Sequence, residues 1–242
     1  SSDEKIIKGD SIFYNQQDKI GEIFDNVTII DTTENLIING NYSMYNEVDS
    51  TSIVTGNVLL TQIYEADTFY LHSDTLITYY DSTKTYQNIS AFHHVQFYKS
   101  DMQGKCDSLV FSDVDSTIKM YREPIMWSEA NQMTAEFIEI KQFDGEIKYF
   151  SLLKNAFIIS EVDTAKYNQI KGKDMVGLFQ NSELYRINVL NNGQTIYYAE
   201  NDEDSTYIGV NKAVCSNMVI RLDSSEIKTI TFLTQPTATL YP

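Results

Sequence analysis

Proline is scarce in this chain. It has three in 242 residues, two of them within the last seven, so little interrupts a run of backbone ladders. Basic residues are also short: 18 Lys and Arg against 34 Asp and Glu, a formal net charge of −16. That deficit excludes nucleic acid as a partner, because neutralising phosphates takes clustered cations. It equally disfavours electrostatic adsorption to an anionic membrane. Two cysteines, Cys106 and Cys215, stand too far apart for a Cys-x-x-Cys pair or a metal spacing, and read as two separate thiols, with a disulfide the alternative in an oxidising compartment. Three histidines, His72, His93 and His94, do not make a metal site. Neighbours on a strand point to opposite faces unless a bulge intervenes, whereas zinc needs three or four converging ligands. No stretch approaches the ~20 apolar residues of a membrane-spanning helix. There is no Gly-x-Ser-x-Gly elbow, no phosphate-cradling glycine loop and no His-Glu-x-x-His. The residues therefore nominate no catalytic group, no metal ligand and no cofactor. The polar start, Ser1 to Lys5, is no signal peptide, and fits a chain whose export signal has been removed.

What the chain has is aromatic content, 17 Tyr and 12 Phe, which suits pleated, half-buried surfaces. It also repeats. Asp49-Ser50-Thr51, Asp81-Ser82-Thr83 and Asp115-Ser116-Thr117 recur 32 and then 34 residues apart. One set of runs opens with Asp or Asn: Asp10–Tyr14, Asn41–Tyr45, Asp74–Thr78 and Asp107–Phe111. A second set is apolar: Asn26–Ile29, Asn57–Leu60, His94–Phe97, Pro124–Trp127 and Asn155–Ile158, at spacings of 31, 37, 30 and 31 residues. Periods of this size mark architectures that stack one supersecondary unit on the next. The repeat is clearest over residues 8–160 and less regular over 161–242. No Gly-, Pro- or Ser-rich linker divides the chain, so a single domain over 1–242 is expected.

Side chains alternate along a strand with period two. Val27 and Ile29 then share one face, as do Val58 and Leu60, Val95 and Phe97, Ile125 and Trp127, and Ala156 and Ile158. Stacked in register, these ten form one apolar wall, with Thr28, Leu59, Gln96 and Met126 facing away. The wall is either a plain core or the lining of a slot that takes hydrocarbon chains. Asn191-Asn192-Gly193 reads as a turn, and Asn201–Ser205 as a hairpin tip. Between Glu129 and Phe143, a helix competes with a strand, and the run Phe137–Ile140 favours the strand.

Gly9-Asp10-Ser11-Ile12-Phe13-Tyr14 with Asp25-Asn26-Val27-Thr28-Ile29, and Gly40–Tyr45 with Gly56–Leu60, resemble the OstA-like family of lipopolysaccharide transport proteins. The acidic, Tyr-rich character looks like the Bacteroidetes versions. The resemblance implies an all-β, repeat-built antiparallel β-jellyroll, a "β-taco" of two facing sheets folded into a V, with roughly 31–37 residues per repeat. It also implies a periplasmic module, in some members associated with the outer membrane. Such a module would hold the lipid A acyl chains of lipopolysaccharide between its sheets. It would stack edge to edge with similar domains, copies of itself included. His93-His94-Val95 and Glu123-Pro124-Ile125 depart from the family's Gly-Asn-Val, and Pro124 points to an edge or a bulge. Two other readings compete. One is a structural or adhesive β-solenoid whose sheet edges bind protein partners without lipid. The other is a carbohydrate-acting enzyme, for which no carboxylate pair stands out.

Overall fold

The computed structural model describes residues 5–65, 67–81, 83, 87–100, 102–128, 130–143, 146–181, 183–201, 206–223 and 226–242. The described chain is strand and turn, without helix, and forms two compact units, Ser1–Arg122 and Glu123–Pro242. The all-β, antiparallel expectation holds, and the folded sheet is not closed into a barrel. Asn131–Thr134 and Phe137–Phe143 are strands, as the Phe137–Ile140 run indicated. The expected tip at Asn201–Ser205 falls mostly outside the described residues.

In the first unit the strands are β1 (Lys5–Lys8), β2 (Ser11–Asn15), β3 (Ile20–Asp31), β4 (Leu36–Asn46), β5 (Thr51–Ile63), β6 (Thr68–Tyr80), β7 (Gln87–Lys99), β8 (Met102–Ser112) and β9 (Thr117–Tyr121). From β3 to β9 each strand pairs antiparallel with the next, and β1 and β2 both pair with β3. The long strands cross a crease at mid-length that divides the sheet into two walls. At each crease two consecutive residues adopt positive φ: Asp25 and Asn26, Gly56 and Asn57, His93 and His94. The register slips there, so the pair lies opposite a single residue: Asp10, Asn41, Asp74 or Asp107. This is a β-bulge, which bends a strand by inserting one extra residue. Left-handed backbone selects Gly, Asn, Asp and His, and those are the types at these three creases.

The second unit contains β10 (Ile125–Ser128), β11 (Asn131–Thr134), β12 (Phe137–Phe143), β13 (Glu146–Leu153), β14 (Phe157–Asp163), β15 (Lys166–Lys171) and β16 (Asp174–Gln180). It continues with β17 (Glu183–Leu190), β18 (Gly193–Glu200), β19 (Tyr207–Cys215), β20 (Asn217–Asp223), β21 (Glu226–Leu233) and β22 (Thr237–Tyr241). One wall runs β10-β11-β14-β15-β18-β19-β22 and the other β12-β13-β16-β17-β20-β21. Its positive-φ pairs are Lys154 and Asn155, Asn191 and Asn192, Thr234 and Gln235. The expected turn at Asn191-Asn192-Gly193 is such a corner. It joins β17 to β18, which lie in different walls and do not pair with each other.

The Asp-Ser-Thr copies at Asp49–Thr51 and Asp115–Thr117 are hairpin tips. The Thr51 and Thr83 amides donate to Asp49 and Asp81 at 3.0 and 3.1 Å, and the Thr117 hydroxyl donates to Asp115 at 2.6 Å. That hydroxyl, ahead of the other contacts, holds the Asp115 carboxyl down at about 2, below its ordinary 3.8. A depressed carboxylate stabilises the fold above its unfolded pKa, and the contribution fades as pH falls toward the folded value. Stability should therefore drop between pH ~4 and ~2. Asp115→Asn should make that limb of an acid melting-temperature profile shallower while leaving the neutral region flat. An unchanged acid limb would show that this tip plays no part.

Candidate functional site: the interior of the folded sheet

The apex of the fold is narrow and is filled by small side chains. In the first unit, Val27 pairs with Gly40, Val58 with Ser73, and Val95 with Cys106. A Cβ on Gly40 would meet Val54 Cγ1 at 2.5 Å, and one on Gly9 would meet Ile23 Cγ2 at 2.3 Å. The apex glycines thus give room to residues of the opposite wall. The Gly-Asp of Gly9-Asp10 and Gly40-Asn41 acquires a physical meaning here. The first residue fills the apex, and the second faces the bulge outside it. Ser73-Asp74 and Cys106-Asp107 are the same pair with other small residues.

Outside the crease the facing acids bind the left-handed residues. Asn26 Nδ2 donates to Asp10 Oδ2 at 2.9 Å, His94 Nδ1 lies 2.8 Å from Asp74 Oδ2, and His93 Nδ1 lies 3.1 Å from Asp107 Oδ1. Arg122 Nη1 donates to Asp107 Oδ2 at 3.3 Å, while Asn155 Nδ2 donates to Glu136 at 2.8 Å. Asp107 is held below its ordinary value, first by the Ser108 hydroxyl and then by His93. These acids face the bulge residues they bind and form a structural ladder. Among the described residues no group of three or more His, Cys, Asp or Glu side chains could hold a metal.

Two rows of side chains face inward in the first unit. On one wall the register runs Ile29–Ile38–Leu60–Leu71–Phe97–Gly104. On the other it runs Ile23–Ser43–Val54–Leu76–Ala91–Leu109–Met120. Apart from Ile29, which is half-buried, every member of both rows is buried. The second unit has one row Met126–Met133–Ile158–Ile170–Thr195–Ala213 and, facing it, Ile138–Leu152–Met175–Val189–Met218. All of these are buried as well.

Of the ten residues expected to line a slot, Val27, Val58, Val95 and Ala156 sit at an apex. Leu60, Phe97 and Ile158 are buried one rung out from it. Ile29 occupies the same inward position, half-buried beside the outer edge. Ile125 and Trp127 are half-buried, and the inward residue of their strand is Met126. The reason is register. Arg122 and Glu123 are the positive-φ pair, so Pro124 takes the apex position held by Val27 and Val58 elsewhere. A shift of one residue turns every side chain of a strand to the other face. Trp127 accordingly pairs with Gln132, and its Nε1 donates to Gln132 Oε1 at 2.9 Å. The second wall of each unit was not read from the sequence. Its signal was present in Leu76 and Thr78, and in Leu109 and Phe111, which alternate in the Asp-opened runs. Only the second set of runs was assembled into a wall.

Residues 37–146 match the profile of the family described as LptA/(LptD N-terminal domain) LPS transport protein. Over these residues the chain resembles that family. The OstA-like stretch begins in β4 and reaches the start of β13, so it takes in crease pairs and inward rows of the kind just described. Among solved structures, the chain is similar to LptH, "the LptA homologous periplasmic component of the conserved lipopolysaccharide transport device from Pseudomonas aeruginosa". The likeness is at 11% identity and a TM-score of 0.43, over 58% of this chain and 95% of that one. No curated protein matches the chain by sequence.

The two cysteines are free, and both are buried at an apex. Burial pushes the Cys106 thiol up to about 12, and it also raises Cys215. Each Sγ donates to a backbone carbonyl two residues on, Ser108 at 3.2 Å and Asn217 at 3.1 Å. The reactive species is the thiolate. A thiol-reactive dye at neutral pH should therefore leave both untouched in the native protein and label two equivalents in denaturant. Rapid labelling without denaturant would contradict a closed apex.

Proposed function

We propose that the chain is a lipopolysaccharide transport module that takes lipid A acyl chains between its two walls. The observation that carries the reading is the pair of facing apolar rows in each unit, in a chain whose residues 37–146 match a family of LPS transport proteins. Each methylene moved from water into such an interior gains about 0.8 kcal/mol. A few acyl chains could therefore bind firmly without ion pairs, and the net charge of −16 is no obstacle. Because the rows are sealed, a guest enters by replacing wall-to-wall contacts with contacts to itself.

On this reading the module works in the periplasm and hands lipid along a bridge of similar domains, one end of which reaches the outer membrane. Sheet edges provide the junctions. Among the described residues β1 and β2 pair with β3 alone, and β2 exposes Ile12, Phe13 and Tyr14. An unpaired apolar edge is a template for another strand. Those same edges favour the second reading, a structural solenoid that binds proteins alone.

Displacement of a fluorescent acyl-chain probe from the purified protein separates the two. The transport reading predicts saturable uptake of the probe and its competition by lipid A. A protein that takes up no probe and ignores lipid A would be the solenoid.

A further inference from the structure

Two buried hydroxyls break the apolar rows. Ser43 is fully buried, and its register neighbours are Ile23 on β3 and Val54 on β5. Thr195 is 2% exposed, between Ile170 on β15 and Ala213 on β19. Neither Ser43 Oγ nor Thr195 Oγ1 has a hydrogen-bond partner. A buried hydroxyl with no partner destabilises a fold, and most such groups are satisfied. Other buried hydroxyls here close their bonds locally. Ser73 Oγ donates to the Thr75 carbonyl at 3.1 Å, and Thr117 Oγ1 donates to Asp115.

The repeat makes the two positions stand out further. Counting outward from the crease, Ser43 occupies the rung position of Leu76 and Leu109. Thr195 occupies that of Leu60, Phe97 and Ile158. The architecture places a large apolar side chain there in most rungs, and one hydroxyl in each unit takes its place. Since both point between the walls and are sealed from solvent, only a molecule lodged between the walls can reach them.

We infer that Ser43 and Thr195 are specificity-determining residues that bind an oxygen carried on a guest's hydrocarbon chain, either a chain hydroxyl or an ester carbonyl. The inference rests on the lipid-carrying reading and adds to it a preference among lipids. A hydroxyl both donates and accepts, so it matches either oxygen. In a dry interior, a guest without that oxygen leaves the protein group unpaired. One with it closes the bond, a difference of roughly two- to tenfold in affinity for a neutral pair.

The test is competition against a fluorescent acyl probe by three guests of equal length: a plain saturated fatty acid, a positional series of its hydroxylated counterparts, and a long-chain ester. Each is measured on the wild type and on the Ser43→Ala, Thr195→Val double variant, with a melting curve for both proteins. The wild type should prefer at least one oxygenated guest by roughly two- to tenfold. In the double variant that ratio should fall to about one, and the melting temperature of the empty protein should rise. The hydroxylated and ester arms identify which oxygen is bound. A ratio that is the same in both proteins, or a wild type with no preference, overturns the inference and leaves the lipid reading standing. A wild type that binds none of the guests overturns both.

Discussion

Val58→Asp should abolish folding of the first unit, whereas Leu59→Asp on the same strand should change stability by less than about 1 kcal/mol. Val58 lies at the apex with no exposed surface, and Leu59 is 38% exposed on the outer face. A carboxylate at position 58 would sit beside Ser73 in a fully buried position. Burying a charge without a partner is among the few single changes that cost more than about 4–5 kcal/mol. That is a large share of the 5–15 kcal/mol that holds a typical domain together. Urea denaturation followed by circular dichroism would measure both variants. A Val58→Asp protein that unfolds with a normal midpoint would mean that the apex is wet, and the two-wall description would fail. Because the rows are sealed in each unit, a polar substitution here unfolds the protein whether or not lipid is its cargo. This experiment therefore tests the architecture and leaves the cargo to others.

Gly40→Val should destabilise by about 1–3 kcal/mol, a fall of several degrees in melting temperature for a chain of this size. The cause is space: Gly40 has no positive φ that a side chain would strain. An added Cβ would meet Val54 Cγ1 at 2.5 Å and the Thr55 carbonyl oxygen at 3.2 Å. Val54 is itself buried between Ser43 and Leu76 in its row and cannot swing away. A compensating Val54→Ala should recover part of the loss, since the clash is with that side chain. Additive losses in the double variant would show that the apex is not limited by the contact between these two residues.

Much of this architecture was legible in the chain. Scarce proline, abundant Tyr and Phe, and a period near 31–37 residues signalled stacked antiparallel strands, and the Asn-Val and His-Val runs fell on the creases. The residues of the first wall, Leu60 and Phe97 among them, follow from period-two alternation counted from a known starting point. Three things did not follow. Bulge geometry was hidden, because two residues in left-handed backbone leave no periodic trace. His93-His94 therefore looked like a departure from Gly-Asn, although both pairs do the same work. The phase of β10 was misplaced by one residue, because Pro124 aligns by eye with Asn57 and by structure with Val58. And the Asp-opened runs concealed the second wall, since acceptor residues that serve a bulge resemble ordinary turn residues. The single-sequence view sees hydrophobic spacing well. It sees poorly which residue starts the count after a corner.

Photo-crosslinking in cells along β7 tests the central claim most directly, namely that hydrocarbon chains travel between the walls. A crosslinking residue placed in turn at Val95, Gln96, Phe97 and Tyr98 samples alternating faces of one strand, since Val95 and Phe97 are buried and Gln96 and Tyr98 are exposed. The account predicts lipopolysaccharide adducts at Val95 and Phe97 and none at Gln96 and Tyr98. Adducts at all four positions alike, or at none while the protein remains folded and abundant, would contradict it.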